Sequence, residues 1–285
     1  MHHPIKVKII RAYFTLFSRI FPKWACISAY TLFHYPVNPK RKNRDARTLP
    51  EPNVFTVKLD DRRILQGYRW GEVTSPAVLL VHGWSTNPES MSHFISVLLS
   101  EGYQVLSYDA LRHGKSSNTF ADLADWADSV HAVIDTVGPL ECIIAHSFGG
   151  AAVTVASKLD LTTKKLVLLA PIHDITSVIT DFSERLGIPR DIVVRMQRYT
   201  WGKNKKNFTK YGSDWKDIVK SDFHIPTLIL HDVDDKEIGI KHSEELCKIW
   251  PWATLIPTHD LGHRKILDDP FVVKQTVAFI QDVQQ

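Results

Sequence analysis

The sequence predicts an α/β fold: a mostly parallel eight-stranded sheet flanked by helices, with a small helical insertion late in the chain. Three observations carry this prediction. Short apolar runs alternate with stretches of helical periodicity from residue 54 onward. Some runs, such as Ala77–Val81, are apolar at every position, as strands covered on both faces are. Residues with chemical reach (His, Ser, Asp) fall just after the runs, at the strand ends where open α/β sheets form their sites.

The 285 residues are 44% hydrophobic and 23% charged, enough to bury one large core in an ordinary globular composition. The three cysteines, Cys26, Cys142 and Cys247, are scattered and form no C-x-x-C, which argues against a disulfide framework or a zinc site and fits a reducing, cytoplasmic setting. Residues 1 to 50 hold ten Lys/Arg and one acid, a local charge of +9 within a whole-chain charge of +4, so the remainder stands at −5. A basic arm therefore precedes a mildly acidic body.

Residues 5 to 21 have helical periodicity, with Ile10, Tyr13, Phe14, Phe17, Ile20 and Phe21 recurring near 3.6 and Pro22 ending the run. A second apolar segment spans Trp24 to Phe33. Arg19, Pro22 and Lys23 separate the two, and neither reaches the roughly 20 residues of a membrane span. A secretory signal is not expected, since Arg19 interrupts the run and no clear small-x-small site follows. Two readings stay open for residues 5–35: a basic amphipathic helix in peripheral contact with the inner face of an anionic membrane, or a helix pair packed on the protein itself. The Pro- and Lys/Arg-rich stretch 36–53 reads as a linker. It lacks interleaved aromatics, so nucleic acid is not an expected partner. Residues 1–53 are thus an arm and linker, and 54–285 the main domain.

Val54–Leu59 and Ile64–Trp70, joined at Asp60-Asp61, form an opening hairpin. Ala77–Val81 is the next strand, then a helix over Glu89–Ser100 with Met91, Phe94, Ile95, Leu98 and Leu99 inward. Gln104–Tyr108 is a strand, Asp122–Val137 a helix, and Leu140–Ala145 a buried strand. Lys165–Ala170, Thr227–Leu230 and Ala253–Ile256 complete the sheet, and a helix from Asp269 to about Val283 closes the chain. Residues 172–225 break the rhythm, with helical stretches at Ile175–Leu186 and Arg190–Tyr199 followed by the basic, aromatic stretch Trp201–Trp215.

Leu140–Gly150 is the stretch with the clearest chemical character. A short apolar strand runs into Ser147, and Gly149-Gly150 opens a helix with a small-residue face, Ala151-Ala152. Such a turn lifts the serine Oγ off the sheet edge and aims the Phe148 NH, at a helix N-terminus, towards whatever the serine attacks. Ala145-His146-Ser147-Phe148-Gly149 resembles the G-x-S-x-G nucleophile elbow of α/β-hydrolases, with Ala in the place of the first glycine. The resemblance spans about residues 54–285 and implies the α/β-hydrolase fold, with the insertion at about 172–225 as a cap.

A serine hydroxyl needs a base, and the base needs a carboxylate. Leu261-Gly262-His263 after the last strand resembles the family's Gly-His and implies His263 as base; His259 is its rival. His231-Asp232-Val233-Asp234-Asp235 resembles the family's G-x-x-D, which implies Asp235 as the acid, with Asp234 as the alternative. His82-Gly83-Trp84 resembles the family's oxyanion loop, which implies the NH groups of Trp84 and Phe148 as the oxyanion donors, with Gly83 beside them in the oxyanion and substrate-binding set; the alternative is a simple glycine turn. Asp109–Ser117 resembles the family's D-x-x-G-x-G-x-S loop, with Arg112 for the first glycine, and reads as structural.

No metal-ligand spacing, phosphate loop or dinucleotide fingerprint occurs, so no cofactor is expected. The resemblance implies a serine hydrolase of esterase or lipase type, acting on a carboxylic ester or thioester of an acyl or lipid-like small molecule. Two alternatives stay open: a carbon–carbon bond hydrolase or acyltransferase with the same triad, and a non-catalytic binding protein on this scaffold.

Overall fold

The computed structural model describes residues 4–36, 49–212, 218–220 and 224–282. Most of the linker expected at 36–53 lies outside the described residues, as does part of the stretch Trp201–Trp215.

The chain divides into two compact units that do not follow chain order: residues 1–36 with 174–210, and residues 37–173 with 211–285. The second unit carries the sheet. Its strands are β1 (Asn53–Lys58), β2 (Ile64–Trp70), β3 (Ala77–Val81), β4 (Gln104–Tyr108), β5 (Leu140–His146), β6 (Thr163–Leu169), β7 (Thr227–Asp232) and β8 (Ala253–Thr258). They lie in the order β1-β2-β4-β3-β5-β6-β7-β8. β1 pairs antiparallel with β2, and β2 antiparallel with β4; every later pair is parallel. This is the eight-stranded, mostly parallel sheet that the apolar runs predict.

The central strands are apolar along their length because helices cover both faces. Val78, Leu80, Val105, Cys142, Ile144, Val167, Leu169, Leu228 and Leu230 bury one face with Phe94, Ile95 and Leu98 of α3 (Ser92–Ser100) and Val272, Val273 and Ile280 of α8 (Pro270–Gln281). The expected helix over 89–100 is divided: a single 3₁₀ turn at Pro88–Met91, capped by the Asn87 side chain on the Ser90 NH, precedes α3. α4 (Leu123–Val137) starts at a reciprocal cap, the Asp122 carboxylate accepting from the Asp125 NH and the Asp125 carboxylate from the Asp122 NH. α5 (Phe148–Ala156) follows β5 directly.

The first unit is helical. It contains α1 (Pro4–Ile20), α2 (Pro22–Phe33), α6 (Ile175–Leu186) and α7 (Arg190–Phe208). Phe14, Ala25, Cys26, Ala29 and Tyr30 of the arm share one core with Ile179, Ile188, Ile192, Val193 and Met196 of the insertion. The arm therefore packs on the insertion rather than remaining a separate segment. α7 runs nine residues beyond the stretch with clear apolar periodicity, to Phe208. Cys26 and Cys142 are buried, and all three cysteines are free.

Candidate active site

β5 delivers Ser147 to the carboxyl edge of the sheet. Ser147 has φ 53° and ψ −118°, a region that side chains rarely adopt, so the turn between strand and helix is strained. Close packing around Gly149 holds it there. A Cβ on Gly149 would stand 2.5 Å from the His82 carbonyl oxygen and 2.7 Å from that of Val81, so only glycine lets α5 approach the end of β3 this closely. Ala145, in place of the other small residue, is fully buried without disturbing the pairing of β5 with β3 and β6.

The structure brings Ser147, His263 and Asp235 into one line. The Ser147 Oγ lies 2.9 Å from His263 Nε2, and His263 Nδ1 donates to Asp235 Oδ2 over 2.7 Å. The carboxylate acceptor fixes the proton on Nδ1, leaving Nε2 free to accept from the serine. All three side chains are buried or nearly so: Ser147 is 7% exposed, His263 9% and Asp235 7%, which leaves little water to compete for these bonds.

The three crowded aspartates separate by their partners. Asp235 is the one that meets His263. Its other oxygen accepts from the NH groups of Glu237 (2.8 Å) and Ile238 (2.9 Å). Burial pushes the Asp235 carboxyl up. Bonds from His231 and His263, the positive charge His263 can carry, and the Ile238 NH outweigh it and hold the group well below the usual carboxylate range. Asp232 anchors the loop that carries His263 instead: its carboxylate accepts from Thr258 Oγ1 (2.9 Å) and from the Leu261 NH (3.1 Å). Burial acts against its charge, but the Gly262, Leu261, Thr258 and Asp234 donors keep it ionised below its ordinary value. Asp234 is exposed, and so is His259.

Sequence reasoning missed four histidines that shape this site. His231, fully buried, donates from Nε2 to the Ile238 carbonyl (2.9 Å) with Asp235 Oδ2 3.5 Å away, while its Nδ1 faces Ser243 Oγ at 2.6 Å. His146 donates from Nε2 to the His263 carbonyl (2.9 Å), and its ring centroid lies 4.7 Å from that of His263. Burial first, and then the neighbouring His263, hold His146 neutral by pushing its pKa far down.

The other two pin the loop after β3. His82 Nε2 accepts from the Ala110 NH (3.1 Å) and its Nδ1 donates to the Gly83 carbonyl (2.8 Å). His113 Nε2 accepts from the Ser85 NH (3.0 Å) and its Nδ1 donates to the Leu111 carbonyl (3.0 Å). Each bond pattern requires a neutral ring, and burial lowers the pKa of both, that of His82 to about 3. A histidine in a loop has no periodic signal, so only the fold could find these.

The loop His82-Gly83-Trp84 lies against the turn at Ser147. A Cβ on Gly83 would stand 3.1 Å from the Ser147 Cβ and 3.0 Å from His146 Nδ1. Phe148 is the first residue of α5, and its ring meets those of Trp84 (5.3 Å) and Trp126 (4.9 Å) edge-on. Among the described residues, neither the Trp84 NH nor the Phe148 NH donates to a protein acceptor. The loop Asp109–Ser117 has the structural role expected of it: Asp109 accepts from the Lys115 NH and from the Tyr68 hydroxyl, both at 2.8 Å. A Cβ on Gly114 would overlap that carboxylate, and Arg112 takes φ 67° where the family has glycine. Among the described residues no His, Cys, Asp and Glu cluster could hold a metal ion.

Comparisons with known proteins agree with this architecture. Solved structures that resemble the chain include a bromoperoxidase from Bacillus anthracis, with 16% identity over 81% of this chain and 100% of that one, at a TM-score of 0.61. An esterase from Exiguobacterium antarcticum shares 17% identity over 80% of this chain and 99% of that one, at 0.61. A putative lipase from Acinetobacter baumannii shares 20% identity over 80% and 91%, at 0.59. At such identities the likeness concerns the fold. No curated protein sequence matches the chain significantly. The family model described as "Alpha/beta hydrolase family" matches residues 78–274, which run from β3 through the loop carrying His263 into α8. The chain therefore belongs to the α/β hydrolase family.

Proposed function

We propose that this protein is a serine hydrolase that cleaves a carboxylic ester or thioester through an acyl-enzyme. The observation that carries the reading is the continuous buried line from Ser147 Oγ through His263 to Asp235 at a strained elbow. Ser147 attacks the acyl carbon while its proton passes to His263 Nε2, and the Asp235 carboxylate stabilises the imidazolium. The NH groups of Trp84 and Phe148 receive the developing oxyanion. Collapse of the tetrahedral intermediate breaks the bond to the leaving alcohol or thiol, which takes the proton from Nε2. Water, deprotonated by the same nitrogen, then attacks the acyl-enzyme and frees the acid. The half-buried rings of Trp84 and Phe148, backed by the fully buried Trp126, support an apolar acyl group, and the esterase and lipase among the structural neighbours support ester chemistry.

The test is hydrolysis of p-nitrophenyl esters from acetate to palmitate by the protein and by Ser147→Ala. The proposal expects turnover that the substitution abolishes. Turnover that survives Ser147→Ala contradicts it.

A further inference from the structure

Helix α1 is apolar on two sides. Its inner row, Ile10, Phe14 and Phe17, belongs to the core of the helical unit. A second row, Ile9, Tyr13, Leu16 and Ile20, has the spacing i, i+4, i+7, i+11 and faces outward, exposed by 63, 37, 66 and 69%. Trp24, two residues into α2, is 60% exposed, and Phe21 between the helices is 49% exposed. A helix that already buries one side gains nothing in folding from a second apolar row in water, and contiguous exposed apolar surface marks a docking site.

Charge identifies what docks there. The surface row next to the apolar one is Lys8, Ala12, Thr15 and Arg19, with exposed cations near both ends of α1, and exposed Lys23 stands beside Trp24. Residues 4–33 contain no Asp or Glu. An apolar centre with a cationic edge and an outward tryptophan matches the layering of a bilayer surface, where acyl chains begin just below anionic phosphates. A second copy docking through the same face about a two-fold axis would bring this acid-free surface against itself. Among the described residues no helix is long and apolar enough to cross a membrane, so the helix would lie on the surface rather than span it.

We propose that the outward face of α1 and the start of α2 dock on an anionic lipid bilayer, with Ile9, Leu16, Ile20 and Trp24 inserted at the headgroup boundary and Lys8, Arg19 and Lys23 paired with lipid phosphates. The proposal goes beyond ester hydrolysis and stands whether or not Ser147 is reactive. The inner row keeps α1 folded on its partners while the outer row is free to insert.

The test uses the full chain and sedimentation with vesicles of phosphatidylcholine containing about 30% phosphatidylglycerol, against phosphatidylcholine alone. The expected result is binding to the anionic vesicles, weakened by added salt. Leu16→Glu with Ile20→Glu should reduce it about tenfold or more, because two inserted side chains become charged. Lys8→Gln with Arg19→Gln and Lys23→Gln should weaken it by a smaller factor. Turnover of a soluble ester should not change, which separates this test from that of the hydrolase reading. Leu16→Ser with Ile20→Ser serves if the glutamates disturb folding. Failure to bind anionic vesicles overturns the proposal, as does binding that neither set of substitutions changes. Concentration-dependent self-association that Leu16→Glu removes, without vesicle binding, would assign the face to a second copy instead.

Discussion

Asp235 in the sheet-bearing unit and Phe14 in the helical unit are both almost completely buried, for opposite reasons. Asp235 is held by direction: four donors or near-donors converge on two oxygens, and each is aimed. Phe14 is held by volume, among apolar neighbours whose angles matter little. The difference teaches where function can be read. The reactivity proposed for the sheet-bearing unit rests on which polar atoms meet; the docking proposed for the helical unit rests on which apolar atoms are left uncovered. Directional contacts fail sharply when one atom is lost, whereas packed ones degrade with the volume removed.

The largest effects should come from the directional side. Ser147→Ala or His263→Ala should lower ester turnover by roughly 10⁵-fold or more, since members of such a unit fail together, and Ser147→Ala should leave the melting temperature nearly unchanged. Asp235→Asn should cost about 10⁴-fold, because an amide can hold His263 in the wrong tautomer. Asp234→Asn, one residue away and exposed, should stay within about threefold. Steady-state kinetics on one ester decides this contrast, and equal losses at both positions would break it.

Acid should expose the same dependence in stability. The folded pKa of His82 is depressed to about 3 from an ordinary 6.5, so the unfolded chain binds more protons between these values. Its contribution is fully present above pH 6.5 and is lost as pH falls towards 3. Asp235, also depressed, loses its contribution only at lower pH, in the same direction. Urea unfolding should therefore weaken by a few kcal/mol on acidification across this range. His82→Gln should flatten the upper part of the decline, at the cost of lower stability near neutrality.

The helical unit should respond by volume alone. Phe14→Ala should destabilise it by about 3 kcal/mol, whereas Leu16→Ala, two residues along the same helix, should change stability by less than about 0.5 kcal/mol. Thermal melts of the two variants measure it. A large loss at Leu16 would mean that the outward row supports folding, and the distinction between the two rows would fall.

What the sequence made legible follows the same division. Strands such as Ala77–Val81 and Ile64–Trp70 match the sheet residue for residue, because apolar runs between turn residues leave few other choices. That Ser147 and His263 would stand close together could be expected from the local frame of each, an elbow and a Gly-His, at a strand end, and the two side chains lie 2.9 Å apart. The choice between Asp234 and Asp235 was not legible, since both occupy one turn and only burial and the donors at 237 and 238 separate them. The roles of His82, His113, His146 and His231 were hidden because their partners lie far away in sequence or on the backbone. The arm's helices were visible in their periodicity, but periodicity names no partner. That Phe14 and Tyr30 pack with Ile179 and Met196, more than 140 residues on, is a fact of the fold alone.

The most direct test of the central claim is labelling with a fluorophosphonate, followed by peptide mapping of the adduct. An unactivated serine does not react at a useful rate, so the reagent reports the Ser147–His263–Asp235 line itself, whatever the natural acyl group. The account predicts a single adduct on Ser147, lost in His263→Ala and strongly slowed in Asp235→Asn. A folded protein that takes no label, or that takes it on another serine, would contradict it.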